Sequence, residues 1–246
     1  MNKNFLNALD DWGTILTDTF NDHYFFTPET DIDEEGNLII GKGKYKQDSE
    51  QDKQQITGPM EILEGVKYIK EFAFKNCTKL TVVNVPDTLE HIDKYAFQNC
   101  EELSEIKFNE GLTYIGDGAF SGCYELKSIN LPSTLDYIRI NTFENCGLEG
   151  DLTLPGNLEM IQDNAFRGCY NLNGKLVIGD GIKVIGEAAF WDCSFTGELV
   201  IPESVKWIRP SAFSGCKFSK IHMHTKIRRG YINGWLQGCK SEVIYY

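Results

Sequence analysis

The sequence predicts a solenoid: short coils stacked into a parallel β-strand ladder, closed by turns and 3-10 segments, with a small helix-bearing capping region at the N-terminus. Three observations predict it. Eight cysteines, Cys77, Cys100, Cys123, Cys146, Cys169, Cys193, Cys216 and Cys239, recur at spacings of 23, 23, 23, 23, 24, 23 and 23 residues, and a period of that length marks a stacked-repeat protein. Around each cysteine the same apolar residues return at the same offsets. Downstream of each, apolar and polar residues alternate as they do in a half-buried strand.

Residues 1–58 break the period and form the expected capping or attachment region. Phe5, Leu9, Trp12 and Leu16 fall at helical spacing and predict an amphipathic helix. Its expected role is to cover the open end of the stack, which repeat proteins need for solubility. The stretch "DIDEEGNLIIGK" (31–42) sets Asp31, Asp33, Glu35 and Gly36 in calcium-loop order, but the twelfth position is Lys42 where a bidentate Glu should close the site. It is read as a turn feeding a strand at Leu38–Ile40. The polar run 43–55 has no apolar period and reads as a loop. "GKGK" at Gly41 lacks the strand–loop–helix setting of a phosphate site.

Residues 59–246 hold eight to nine coils. Three positions before each cysteine stands Phe74, Phe97, Phe120, Phe143, Phe166, Phe190 or Phe213, with Leu236 in the last copy. Ala precedes the Phe except at Thr142 and Trp235, and an Ile lies five before it, from Ile69 to Ile208, with Tyr231 in the last copy. The strand pairs begin at Met60 and Ile62 and run through Val83/Val85, Ile106/Phe108, Ile129/Leu131, Leu152/Leu154, Leu176/Ile178, Leu199/Ile201 and Ile221/Met223 to Val243/Tyr245. Pro86, Pro132, Pro155 and Pro202 follow their strands, where a missing N–H is tolerated. One coil cannot bury these residues alone, whereas a stack can. Each fully buried Ile, Leu or Phe contributes roughly 1.5–3 kcal/mol, which offsets the ordering entropy.

The pattern I-x-I-P, then V/L-x-x-I, then A-F-x-x-C-x-x-L is clearest in "INLPSTLDYIRINTFENC" (129–146) and "LVIPESVKWIRPSAFSGC" (199–216). It resembles the BspA-type leucine-rich repeat, over about residues 60–246. The resemblance implies a leucine-rich-repeat solenoid with a non-catalytic role in protein binding, adhesion or host-cell contact.

Eight cysteines raise the question of disulfides or metal ligands. Each occupies the same slot, so its neighbour is another cysteine one strand spacing away. That lies within disulfide reach, but the side chains all point into the core, and no CxxC pair offers a zinc grip. Buried, reduced packing thiols are the expectation.

A net charge of -12 argues against nucleic acid and anionic membrane partners. No apolar run approaches the length that spans a bilayer, and the N-terminal stretch carries Asp10 and Asp11 where an export signal would be apolar. As given, the expected compartment is the cytoplasm, with a cell-surface or secreted location if the N-terminus is trimmed, and a virion as the alternative. His222 and His224 share one side of a strand without an evident third ligand, so no metal is expected. No nucleophile sits in an activating motif; neither catalysis nor a cofactor is expected.

Two surfaces are candidates for a protein partner. Strand alternation sends Asn84, Glu105, Lys107, Ser128, Asn130, Asp151, Thr153, Lys175, Val177, Glu198, Val200, Lys220 and His222 outward. This is either a tuned binding face or an ordinary solvated sheet. A second column precedes each Ile: Tyr68, His91, Tyr114, Tyr137, Met160, Val184 and Trp207. It is either a ridge of interface residues or a lid on the core at the turn. The expected function is a protein-binding scaffold; the alternative is a structural subunit of a larger assembly, such as a bacterial surface layer or phage particle, docked through its N-terminal segment.

Overall fold

Apolar residues at fixed offsets bring the chain back to the same place every coil, and the backbone hydrogen bonds follow that return. The protein, described here by a computed structural model for residues 30–32, 38–40, 56–224, 227, 234, 236 and 238–246, is a parallel β-solenoid of stacked coils. The expected N-terminal helix, the calcium-like positions 33–37 and 41–42, and the loop 43–55 lie outside the described residues. So do Tyr231 and Trp235.

Each coil has three walls. The first carries the expected strands: β3 (Thr57–Glu61), β5 (Lys79–Asn84), β7 (Glu105–Ile106), β10 (Leu152–Thr153), β12 (Leu176–Val177), β14 (Glu198–Ile201), β16 (Lys220–Met223) and β17 (Glu242–Tyr245). They pair in parallel as β3-β5-β7, β10-β12 and β14-β16-β17. The ladder is therefore interrupted, and the expected strand at Ile129–Leu131 is absent: that segment has no strand pairing. The apolar residue after the cysteine moves there from three positions on (Leu80, Leu103, Leu126) to two (Leu148), so neighbouring coils enter the wall along different paths. Gly147 makes this approach, since a Cβ on it would lie 2.0 Å from the Tyr124 carbonyl oxygen.

The sequence predicts one strand per coil; the structure has a second ladder. The second wall holds β4 (Val66–Ile69), β6 (His91–Ile92), β8 (Tyr114–Ile115), β9 (Tyr137–Ile138), β11 (Met160–Ile161), β13 (Val184–Ile185) and β15 (Trp207–Ile208). Each second-wall strand after β4 carries a single inward Ile, whereas the first wall carries an apolar pair two residues apart, so only the first wall shows an alternation to pattern reading. β1 (Thr30–Ile32) and β2 (Leu38–Ile40) form an antiparallel hairpin, and β2 pairs in parallel with β4. The expected strand at Leu38–Ile40 thus extends the second wall.

The third wall is the Ala-Phe-x-x-Cys segment, a ribbon of turns in the seven coils from Phe74 to Phe213. In seven coils the residues two before and two after the Phe take left-handed φ, from Phe72 (62°) and Asn76 (64°) to Ser211 (58°) and Gly215 (86°). Outside glycine that conformation costs roughly 1–2 kcal/mol. The return is a ladder: Phe72, Phe74 and Asn76 donate N–H to the carbonyls of Lys94, Ala96 and Gln98 in the next coil, and later coils repeat this.

Inside, Phe74, Phe97, Phe120, Phe143, Phe166, Phe190 and Phe213 stack with centroids 5.0–5.6 Å apart and planes within 15°. The cysteines are free thiols; seven are buried and Cys239 is half-buried. Each Sγ from Cys100 onward donates to the carbonyl of the Phe in the preceding coil, at 2.9–3.4 Å. The Phe97 carbonyl, for example, accepts from Cys100 N–H and from the Cys123 thiol. Cysteine here is a small hydrophobe that also completes a backbone acceptor. Burial pushes the Cys169 thiol up to about 12 and raises Cys123, Cys146, Cys193 and Cys216 as well. Thr142, in the Ala slot, is fully buried and bonds the Arg139 carbonyl.

Candidate binding surfaces

The second-wall column is set by strand register. Tyr68, His91 and Tyr114 are Cα partners, as are Tyr137, Met160, Val184 and Trp207. The column residues therefore lie in strands. Tyr68 and His91 rings lie 5.5 Å apart; His91 and Tyr114 stack at 4.0 Å and 6°. Where the sheet breaks between β8 and β9, the Arg139 guanidinium lies 4.2 Å from the Tyr114 ring centroid and 5.7 Å from that of Tyr137. Lys70 Nζ sits 4.9 Å from the Tyr68 ring. His91 is held below its ordinary pKa by burial, opposed by Asp93 and reinforced by Lys70 and Arg139. Tyr68, His91, Tyr114 and Tyr137 are half-buried, whereas Trp207 is 57% exposed.

On the first wall, Asn84, Glu105, Lys107, Asn130, Lys175 and Glu198 are exposed and His222 is half-buried. The N-terminal half is self-satisfied: Asn84 Nδ2 donates to Glu61 at 2.9 Å, and Lys107 pairs with Glu105 at 2.7 Å. The C-terminal half differs. One column runs Asp151, Lys175, Glu198, Lys220, Glu242, alternating in sign. The column beside it reads Thr153, Val177, Val200, His222, Ile244. Val177 and Val200 are 49% and 55% exposed.

Those valines floor a groove of about 600 Å³, walled by Pro202, Ser204 and Tyr246 and edged by Lys175, Asp180, Glu198 and Glu203. The Tyr246 hydroxyl donates to the Ile201 carbonyl at 3.4 Å. Glu198 accepts from His222 Nε2 at 3.0 Å and pairs with Lys220 at 3.6 Å, which holds its carboxyl below the usual range. His224 Nε2 lies 3.4 Å from Glu203. Each histidine of the pair thus faces a carboxylate. Among the described residues, no three His, Cys, Asp or Glu side chains gather for a metal ion. Sequence reasoning placed Lys175, Val177, Glu198 and Val200 outward but missed the groove. Its signal is two valines in the outward slots of adjacent coils, between Thr153 and His222.

A family model for the BspA type leucine rich repeat region, six copies long, matches residues 53–173 and 174–239. The chain belongs to that family. A crystal structure of a leucine-rich repeat protein from Bacteroides ovatus is 29% identical, with a TM-score of 0.61, covering 78% of this chain and 56% of that one. The BspA-type chain therefore spans only about half of that relative. A leucine rich cell surface protein from Faecalibacterium prausnitzii shares the fold at 21% identity and a TM-score of 0.52, covering 80% of this chain and 62% of the other. The T. pallidum leucine rich repeat protein does so at 24% and 0.53, covering 67% and 86%. No curated protein matches significantly. Leucine-rich-repeat solenoids are typically non-catalytic scaffolds that present extended binding surfaces. Among the described residues, no helix is long and apolar enough to cross a membrane.

Proposed function

We propose that this BspA-type chain is a non-catalytic protein-binding scaffold and that its contact surface is the outward face of the first wall, in the C-terminal half. The observation that carries this is the pair Val177 and Val200, bare in adjacent coils at the floor of a groove. Apolar surface left open in a concave setting is the usual mark of a contact site. The wall behind it is fixed by the Phe and Cys ladders, so binding carries little ordering cost. Tyr68, Tyr114 and Tyr137 of the second column are engaged with one another's neighbours and with Lys70 and Arg139, and they serve as a stiff flank.

The test is a pull-down from the native source with mass spectrometry, using the whole chain, Val177→Glu/Val200→Glu, and Tyr114→Ala/Tyr137→Ala/Trp207→Ala. The expected result is a partner retained by the wild type and the second variant and lost by the first. Loss from the second variant alone moves the contact to the second wall. Equal recovery by all three, with each variant folded, overturns the reading.

A further inference from the structure

The groove has a chemistry as well as a shape. Its floor is aliphatic, with Tyr246 as one wall. Its edge carries three carboxylates, Asp180, Glu198 and Glu203, against one lysine. Glu198 is engaged with Lys220 and His222, and Glu203 lies 3.4 Å from His224 Nε2; Asp180 and Glu203 form the edge that meets an incoming ligand. Both are exposed.

We propose that the groove binds an extended protein segment in which aliphatic and basic residues alternate, the aliphatic side chains seated on Val177 and Val200 and the cations against Asp180 and Glu203. This rests on the scaffold reading above and names its partner's chemistry. The net charge of -12 favours the same partner at long range.

The probe is a fluorescein-labelled peptide of alternating lysine and valine, nine residues long, with its glutamate–valine counterpart, followed by anisotropy on the full chain. The basic peptide is expected to bind and the acidic one not. Asp180→Lys/Glu203→Lys should weaken the basic peptide about tenfold or more, as removal of local charge pairs does. Glu64→Lys/Glu101→Lys, the same charge change at exposed positions outside the groove lining, should leave binding unchanged. Equal weakening by that remote pair, or equal binding of the acidic peptide, overturns the inference. If neither peptide binds while Val177→Glu/Val200→Glu still loses the native partner, the basic-segment inference fails and the scaffold reading stands.

Discussion

The ribbon wall and the first-wall strands belong to the same coils yet differ in continuity. The Phe stack and the thiol–carbonyl bonds pass through the coil at residues 123–146 without a gap, at 5.6 Å from Phe120 to Phe143 and 3.1 Å from Cys146 to the Phe120 carbonyl. The strand sheet stops there and resumes at β10. Continuity of the stack therefore resides in the ribbon and its core, and strand pairing is secondary to it. That frees the first-wall face to vary, from a self-paired polar surface at Asn84 and Lys107 to an open aliphatic groove at Val177 and Val200.

The largest expected effect comes from attacking the thiols together. In the unfolded chain they ionise around their ordinary 9.0, whereas burial keeps Cys123, Cys146, Cys169, Cys193 and Cys216 protonated well beyond it. The unfolded state then holds fewer protons than the native one, so stability is intact below pH 9 and falls as pH rises through the shifted values. Each thiol contributes about 1.4 kcal/mol of loss per pH unit. Urea midpoints measured at pH 8, 9 and 10 should fall mainly between pH 9 and 10, and Cys169→Ala should shallow that slope by one proton. A midpoint that stays flat to pH 10 would mean the sulfurs are not sealed in.

Next in size is a direct exchange between walls. Phe143→Ala removes a fully buried ring from the middle of the stack and should cost roughly 3–5 kcal/mol. Trp207→Ala, at a side chain 57% exposed on the second wall, should stay within about 0.5 kcal/mol. Denaturant unfolding of the two variants side by side measures both. Comparable losses would dissolve the distinction between a structural ribbon and a tunable face.

The legibility of each wall in the sequence follows from how it is built. The core slots were plain because every Ile, Phe and Cys meets its own kind one coil away, and stacking tolerates little else. The left-handed slots were also written, as Asn76, Asn99, Gly122, Asn145, Gly168, Asp192 and Gly215 two after each Phe, residue types that favour positive φ. Phe72 and Ala188 in the companion slot hide that pattern, since neighbouring coils impose the conformation on residues that do not prefer it. The groove was illegible because it needs Tyr246 folded back to the Ile201 carbonyl, a contact 45 residues apart. The aromatic column was visible, but its Arg139 and Lys70 lids depend on side-chain placement that spacing does not encode.

The smallest effect concerns that column and runs opposite in pH to the thiols. His91 is wedged between Tyr68 and Tyr114, with Lys70 and Arg139 nearby and Asp93 opposing them. Burial and the two cations disfavour its protonation, so its folded value lies below the ordinary 6.5. Folding then excludes a proton that the unfolded chain accepts, and the contribution is whole above 6.5 and fades as pH falls below it. A melting temperature measured from pH 7.5 to 5 should decline gently, on top of the carboxylate background. His91→Phe keeps a ring in the stack without a titrating group and should remove that part of the decline. If the variant and wild type fall in parallel, the second wall's histidine is solvated, and the N-terminal half of the column is less closed than the ribbon beside it.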